Sequence, residues 1–262
     1  MVLFIVIKTM PTSCVFTNDN NVHILLPDYW LSHDFSFRDK HEVVFRRICT
    51  YLINNKIIKN NIIDLGAWIG DNSIPWAKNT PATIYAIDPS PENCSFIKQI
   101  CDLNKIENIK IIQSAISHMD EVLVTNGDIG HCSFVNQNPN GRLTYAQARS
   151  LGSLYTSGEI TTVGFIHLDV EGMEYSVLIG ATELIDACRP IIAFEQHIDI
   201  EDFMLIATHL SSKNYSVFIN DEILLNCRTD CRNFFAFPNK IMNSGFIEAI
   251  HESIGVETLL KR

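Results

Sequence analysis

The segment Asn61–Asp71, NIIDLGAWIGD, constrains the fold more than any other part of the chain. Ile62 and Ile63 read as the end of a short buried strand, and DNSIPWAK opens a helix. Asp64, Gly66 and Gly70 lie between them. A strand, a glycine turn and a helix N-terminus together bring a ligand's polar groups against backbone N–H groups. Gly66 allows a sharp turn and close approach of a ligand to the backbone, and Gly70 allows the helix to pack on its strand. Asp71, Asn72 or Ser73 is expected to cap that helix, and Pro75 is tolerated in its first turn.

The spacing is D-x-G-x-x-x-G, not the dinucleotide pattern G-x-G-x-x-G. Trp68 stands where a pyrophosphate would need the middle glycine, and an acid before the turn would repel that group. A ligand carrying an ammonium and hydroxyls suits the turn better. Taken alone, one such turn also fits a plain strand-to-helix connection.

With 262 residues, 47% of them hydrophobic and 19% charged, the chain can build one α/β domain with a small appendage or two small domains. A net charge of −10 and the lack of any basic run beyond Arg46-Arg47 argue against a nucleic-acid partner. The eight cysteines form no C-x-x-C pair, and Cys227 and Cys231 have no second pair of zinc spacing. They read as free thiols of a reducing, cytoplasmic compartment, with no metal site. The opening MVLFIVIK is too short to span a bilayer and lacks the marks of a secretory signal. It reads as a strand paired with Val22–Leu26.

Residues 1–58 form an N-terminal extension with a helix over about 40–54, in which Val43, Val44, Ile48 and Leu52 keep helical spacing. The aromatic segment 28–37 reads equally as a lid over a pocket or as packing. From Asn61, strands and helices alternate as a doubly wound parallel sheet requires. Strands are expected at Ile62–Leu65, Thr83–Ile87, Ile109–Gln113, Val163–Leu168 and Ile191–Phe194, with a helix over Glu92–Leu103. Residues 121–162 read as an irregular excursion that binds or caps. Asn220-Asp221 reads as a two-residue hairpin turn between Tyr215–Ile219 and Glu222–Leu225. Phe234–Phe237 is a further apolar run, so an antiparallel edge closes the sheet. The domain spans 59–240, with a helical tail at 241–262.

Ligands of open α/β sheets bind beyond the carboxyl ends of the strands. Those ends carry Asp64, Asp88, Ser114, Asp169 with Glu171, and Glu195 with His197. Carboxylates on four strands make chance placement a poor explanation. Asp88, 22 positions after Gly66, is placed to accept ribose hydroxyls. That suits a dinucleotide or S-adenosylmethionine, and Asp64 favours the second, because its charge balances an ammonium or sulfonium.

NIIDLGAWIGDNS, YAIDPSPEN, FIHLDVEGMEYSVLIGA, RPIIAFEQH and CRTDCRNFFAFP resemble the successive motifs of FkbM-type methyltransferases. The resemblance runs over about 60–238 and is most specific at D-V-E-G-x-E-x-x-x-L-x-G-A. Asp88, where glutamate is commoner, and Trp68, where asparagine is frequent, depart from the pattern. The resemblance implies a class I, Rossmann-like, mostly parallel seven-stranded sheet with an antiparallel C-terminal hairpin. It implies O-methylation of a hydroxyl on a sugar, glycan or small metabolite, with S-adenosyl-L-methionine as cofactor. It places Asp64, Gly66 and Gly70 at the methionine part, Asp88 at the ribose, and Ser114 and Ala115 at the adenine, with Ala67, Asn72, Ser73 and Pro89 also among the cofactor-binding residues. Asp169 and Glu171 fall where methyl donor and acceptor meet.

An alcohol attacks a sulfonium only as its proton is drawn away, which needs a carboxylate or histidine within hydrogen-bond reach. Asp169 is the first choice for that base, with Glu171, Glu195 and His197 as alternatives. His167 lies inside a strand and reads as a hydrogen-bonded core residue. The competing functions are a nicotinamide-dependent oxidoreductase, disfavoured by the missing glycine, and a catalytically silent cofactor-binding module.

Overall fold

The computed structural model describes residues 14–17, 22–37, 40–125, 144–197, 203–223 and 231–262. Strands β1 (Cys14–Thr17) and β2 (His23–Leu26) pair antiparallel, so the partner of β2 is Cys14–Thr17. The segment expected in that place, MVLFIVIK, lies outside the described residues. Helices α1 (Leu31–Phe37) and α2 (Val43–Asn54) follow. Leu31 and Phe35 of the aromatic segment are buried in one apolar cluster with Phe96 and Ile97.

The alternation then runs β3 (Asn61–Leu65), α3 (Ser73–Asn79), β4 (Ile84–Asp88), α4 (Pro91–Asn104) and β5 (Ile109–Gln113). Each strand is a short run rich in isoleucine, and α4 opens on Ser90, whose side chain accepts from the Asn93 N–H, with Pro91 in its first turn. The stretch expected to be irregular instead carries β7 (Glu121–Thr125), β8 (Thr144–Arg149) and α5 (Leu151–Thr156). With β6 (Ala115–Ile116), the two strands make a separate small sheet in the order β6-β8-β7.

The chain returns through β9 (Val163–Leu168), α6 (Glu174–Gly180), α7 (Thr182–Cys188), β10 (Ile191–His197) and α8 (Phe203–Ser212). It ends with β11 (Tyr215–Asn220), β12 (Cys231–Pro238), α9 (Phe246–Ile254) and β13 (Leu259–Lys261). The main sheet has the order β13-β11-β12-β10-β9-β3-β4-β5. From β10 to β5 all neighbours are parallel, whereas β12 is antiparallel to β10 and β11. The α/β architecture with an antiparallel C-terminal edge is therefore as expected, with two differences. An eighth strand, β13, comes from the tail read as helical and pairs with β11. Among the described residues no hairpin forms at Asn220-Asp221: Glu222 and Ile223 are not in a strand, and both edges of β11 are taken by β12 and β13; Leu224 and Leu225 lie outside the described residues. Glu222 instead accepts hydrogen bonds from the backbone N–H groups of Val44 (2.9 Å) and Phe45 (3.0 Å), capping α2.

Both faces of the sheet are covered, as parallel strands require. One apolar layer holds Phe45 and Ile48 of α2, Trp76 of α3, Ile250 of α9 and the strand residues Phe165 and Phe235. The other joins Ile63, Ile166 and Phe194 to α5–α8. No helix among the described residues is long and apolar enough to cross a membrane.

Candidate active site

The sheet order sets Glu195, Asp169, Asp64, Asp88 and Ser114 at the ends of consecutive strands β10, β9, β3, β4 and β5. Asp64 is 1% exposed. Its Oδ2 accepts from the Ser73 hydroxyl at 2.5 Å, and its Oδ1 lies 2.8 Å from Nδ1 of His167, the residue it faces on β9. His167 is thus a hydrogen-bonded core residue. Asp71, Asn72 and Ser73 do not cap α3: Asn72 holds the N-cap position without a side-chain cap. Ser73 is spent on Asp64, and Asp71 accepts from Nη2 of Arg46 at 2.6 Å.

Both glycines of the turn have left-handed backbones, φ 72 at Gly66 and φ 80 at Gly70. A Cβ on Gly70 would press on Ile97 and Ile74 at 3.1 and 3.2 Å, as expected of a helix-packing glycine. A Cβ on Gly66 would collide with the backbone carbonyl of Asp169, so this glycine admits the end of β9 rather than a ligand. Ala67 is buried and its N–H donates to the Ile87 carbonyl at 3.1 Å.

Asp88 knits the turn to α4. Its Oδ1 accepts from the Ser90 N–H (2.8 Å) and Asn93 Nδ2 (3.1 Å), and its Oδ2 accepts from the Trp68 N–H (2.9 Å). Burial pushes its carboxyl up to about 6, against the pull of these three hydrogen bonds. One lone pair of Oδ2 remains for a ligand hydroxyl. Pro89 is half-buried beside it. The Ser114 hydroxyl donates within the protein, toward the carbonyls of Ala115 (2.7 Å) and Gln147 (3.0 Å), and Ala115 is buried against Ala146 and Ala148.

On the other side, Asp169 is half-buried and its N–H donates to the Leu65 carbonyl at 3.0 Å. Glu171 is exposed, in a left-handed backbone at φ 54. Burial raises the Glu195 carboxyl well above the usual range, and the carboxylates of Asp169, Glu42 and Glu171 add to the effect. The Cys231 thiol donates to Glu195 Oε1 at 2.6 Å. Burial and the neighbouring carboxylates thus bias Glu195 toward its protonated form. His197 ends β10 in register with Cys231, and its side chain lies outside the described residues. Among the described residues no group of three His, Cys, Asp or Glu side chains is arranged to hold a metal ion.

Sequence reasoning missed several residues of the site. Glu174 is 2% exposed; its Oε1 accepts from the N–H groups of Val170 (3.1 Å) and Gly172 (3.4 Å), and its Oε2 from Gln196 Nε2 (3.0 Å). It shapes the loop that presents Asp169 and Glu171. Glu42 and Arg46 come from the start of α2. Glu42 accepts from Asn233 Nδ2 at 2.8 Å, and Arg46 ties α2 to Asp71. A signal for Arg46 existed: it shares the buried stripe of α2 with Cys49 and Ile53.

The family model described as the methyltransferase FkbM domain matches residues 64–217. No curated protein sequence matches the chain. Among solved structures, a methyltransferase FkbM from Methylobacillus flagellatus KT aligns at 18% identity and a TM-score of 0.49, over 67% of this chain. The alignment spans only 43% of that protein's length. Magnesium protoporphyrin IX methyltransferase from Synechocystis PCC 6803 aligns at 12% identity and a TM-score of 0.48, over 79% of this chain and 83% of its own. A putative caffeoyl-CoA O-methyltransferase from Staphylococcus aureus gives 10%, 0.47, 79% and 90% in the same order.

Proposed function

Because the chain belongs to the FkbM methyltransferase domain family, with S-adenosylmethionine as its cofactor, we propose that it methylates a hydroxyl of a sugar, glycan or small metabolite. The observation that carries this reading is the row of carboxyl groups at the ends of the adjacent strands β10, β9, β3 and β4; Asp88 would serve the cofactor, and Asp169 and Glu195 the acceptor.

The residues present fit the cofactor. Asn72 Oδ1 is buried without a hydrogen-bond partner on the turn into α3, an acceptor suited to the methionyl ammonium. Asp88 Oδ2 has one lone pair for a ribose hydroxyl. Ala67 and Gly70 would line the methionine part, Pro89 would flank the ribose, and Ser114 and Ala115 would border the adenine. When bound, the cofactor supplies an electrophilic methyl on a sulfonium. Asp169 takes the proton of the acceptor hydroxyl as its oxygen forms the new bond to that methyl. The cofactor would give up that methyl with the C–S bonding pair retained by sulfur. Glu195, biased toward its protonated form, would orient the acceptor by a hydrogen bond, and Glu171 borders the same opening. Glu174 holds the loop of Asp169 through the Val170 and Gly172 N–H groups, which favours approximation.

Family membership displaces the oxidoreductase reading. Cys49, Cys94, Cys101, Cys188 and Cys231 are free thiols, in keeping with a cytoplasmic site of action. Thermal shift with S-adenosylhomocysteine and with NAD tests the cofactor. A ligand at about 100 times its dissociation constant adds about 2.7 kcal/mol of stability, and stabilisation by NAD alone refutes the reading. Transfer of labelled methyl to a panel of sugars and polyols separates an active enzyme from a silent binding module.

A further inference from the structure

Asp64, the acid of the glycine turn, faces inward. Its two oxygens are taken by Ser73 of α3 and His167 of β9. A carboxylate only accepts, so Nδ1 of His167 carries the hydrogen and donates it. The imidazole is 2% exposed and set in an aromatic layer, with the Phe45 ring at 5.0 Å and the Trp76 ring edge-on at 5.8 Å. Its Nε2 is buried with no hydrogen-bond partner. A buried unsatisfied nitrogen is destabilising, and a phenylalanine would fill the same layer without that cost.

The position explains what the imidazole adds. His167 stands two residues before Asp169. At the same place the Asp169 N–H bonds the Leu65 carbonyl at 3.0 Å, and Gly66 packs directly on the Asp169 carbonyl. Three contacts thus join the end of β3 and the start of its turn to the end of β9, and the His167–Asp64 bond is the one made by side chains.

We propose that His167 is a positioning residue for methyl transfer: by holding Asp64 it locks the cofactor turn to the end of β9, so that methyl donor and Asp169 share one rigid frame. The inference rests on the methyltransferase reading above. It also makes Asp64 a brace within the protein rather than a direct partner of the cofactor's ammonium.

The test compares His167→Phe, His167→Asn and Asp64→Asn with wild type, by calorimetric titration of S-adenosylhomocysteine and by urea unfolding. Phenylalanine keeps the aromatic packing and loses the donor. Asparagine loses the ring but sets an amide N–H near the place of Nδ1–H. We expect His167→Phe to bind about tenfold more weakly than wild type, and His167→Asn to stay within about threefold, even if it unfolds more easily. A role in packing alone predicts the reverse order of affinity, and that order would overturn the proposal. Asp64→Asn still accepts from His167 and should also stay within about threefold. A loss of about thirtyfold there would make Asp64 a cofactor ligand and overturn the proposal too, so the inference remains open to refutation if His167→Phe does not fold. If wild type itself fails to bind S-adenosylhomocysteine, the methyltransferase reading falls, and not the brace.

Discussion

Gly66 packs so tightly on the backbone of Asp169 that a single added carbon would collide with its carbonyl oxygen. The first glycine of the cofactor turn and the residue we assign as base are therefore one contact apart. Gly66→Ala has to push β3 and β9 apart and also places an L side chain at φ 72. We expect it to cost about 2–4 kcal/mol of stability and to abolish binding of S-adenosylhomocysteine. Gly70→Ala meets flexible Ile97 and Ile74 side chains and should cost about half as much. Urea unfolding of the two variants checks the order, and a Gly66→Ala protein as stable as wild type would refute it.

Arg46 and Asp71 form a buried pair at 2.6 Å, with side chains 7% and 6% exposed. Removing one partner strands the other charge away from water. Arg46→Met should lose about 3–5 kcal/mol, and replacing Asp71 as well should recover part of that loss, the rest staying with the buried Glu42 carboxylate 4.0 Å from Arg46. The two variants in one denaturation series decide the matter. Equal losses would mean that Arg46 acts through packing alone.

Asp88→Ala is expected to lower stability as well as cofactor affinity, because the backbone N–H groups of Trp68 and Ser90 and the Asn93 amide all lose their acceptor. The loss should be about 1–3 kcal/mol. The carboxyl lies at about 6 in the folded protein, above its ordinary 3.8. Folding therefore favours its protonated form. The wild-type margin over Asp88→Ala should widen as pH falls from about 7 to about 4, by on the order of 2–3 kcal/mol, and narrow as pH rises. Melting curves at several pH values read this out; a margin that shrinks toward acid would contradict it.

Much of the fold is legible in local pattern. Ile109–Gln113 and Val163–Leu168 form strands with the expected bounds, since each is a short apolar run flanked by polar residues. The row of strand-end carboxyl groups follows from topology alone. What local pattern hides is partnership at a distance. Glu222 reads as part of a hairpin, yet its carboxylate caps a helix 178 residues earlier. Strand β8, TYAQAR, lacks a clear apolar alternation, and β7 and β8 stand on either side of residues 126–143. Glu42, Arg46 and Asn233 matter only because the start of α2 reaches the strand ends, and Glu174 and Gln196 meet only because α6 packs beside the end of β10. The capping expectation for α3 failed for the same reason: Asp71 and Ser73 are drawn off by Arg46 and Asp64.

The central claim is that Asp169 takes the acceptor's proton, and transfer of labelled methyl from S-adenosylmethionine by Asp169→Asn tests it most directly. Asparagine keeps the size of the side chain and cannot act as a base. With a hydroxyl acceptor found from the panel, the variant should keep wild-type affinity for S-adenosylhomocysteine and its melting temperature while losing roughly 10²–10⁴-fold in transfer rate. Transfer at the wild-type rate would contradict the account and move the base to another group at the strand ends.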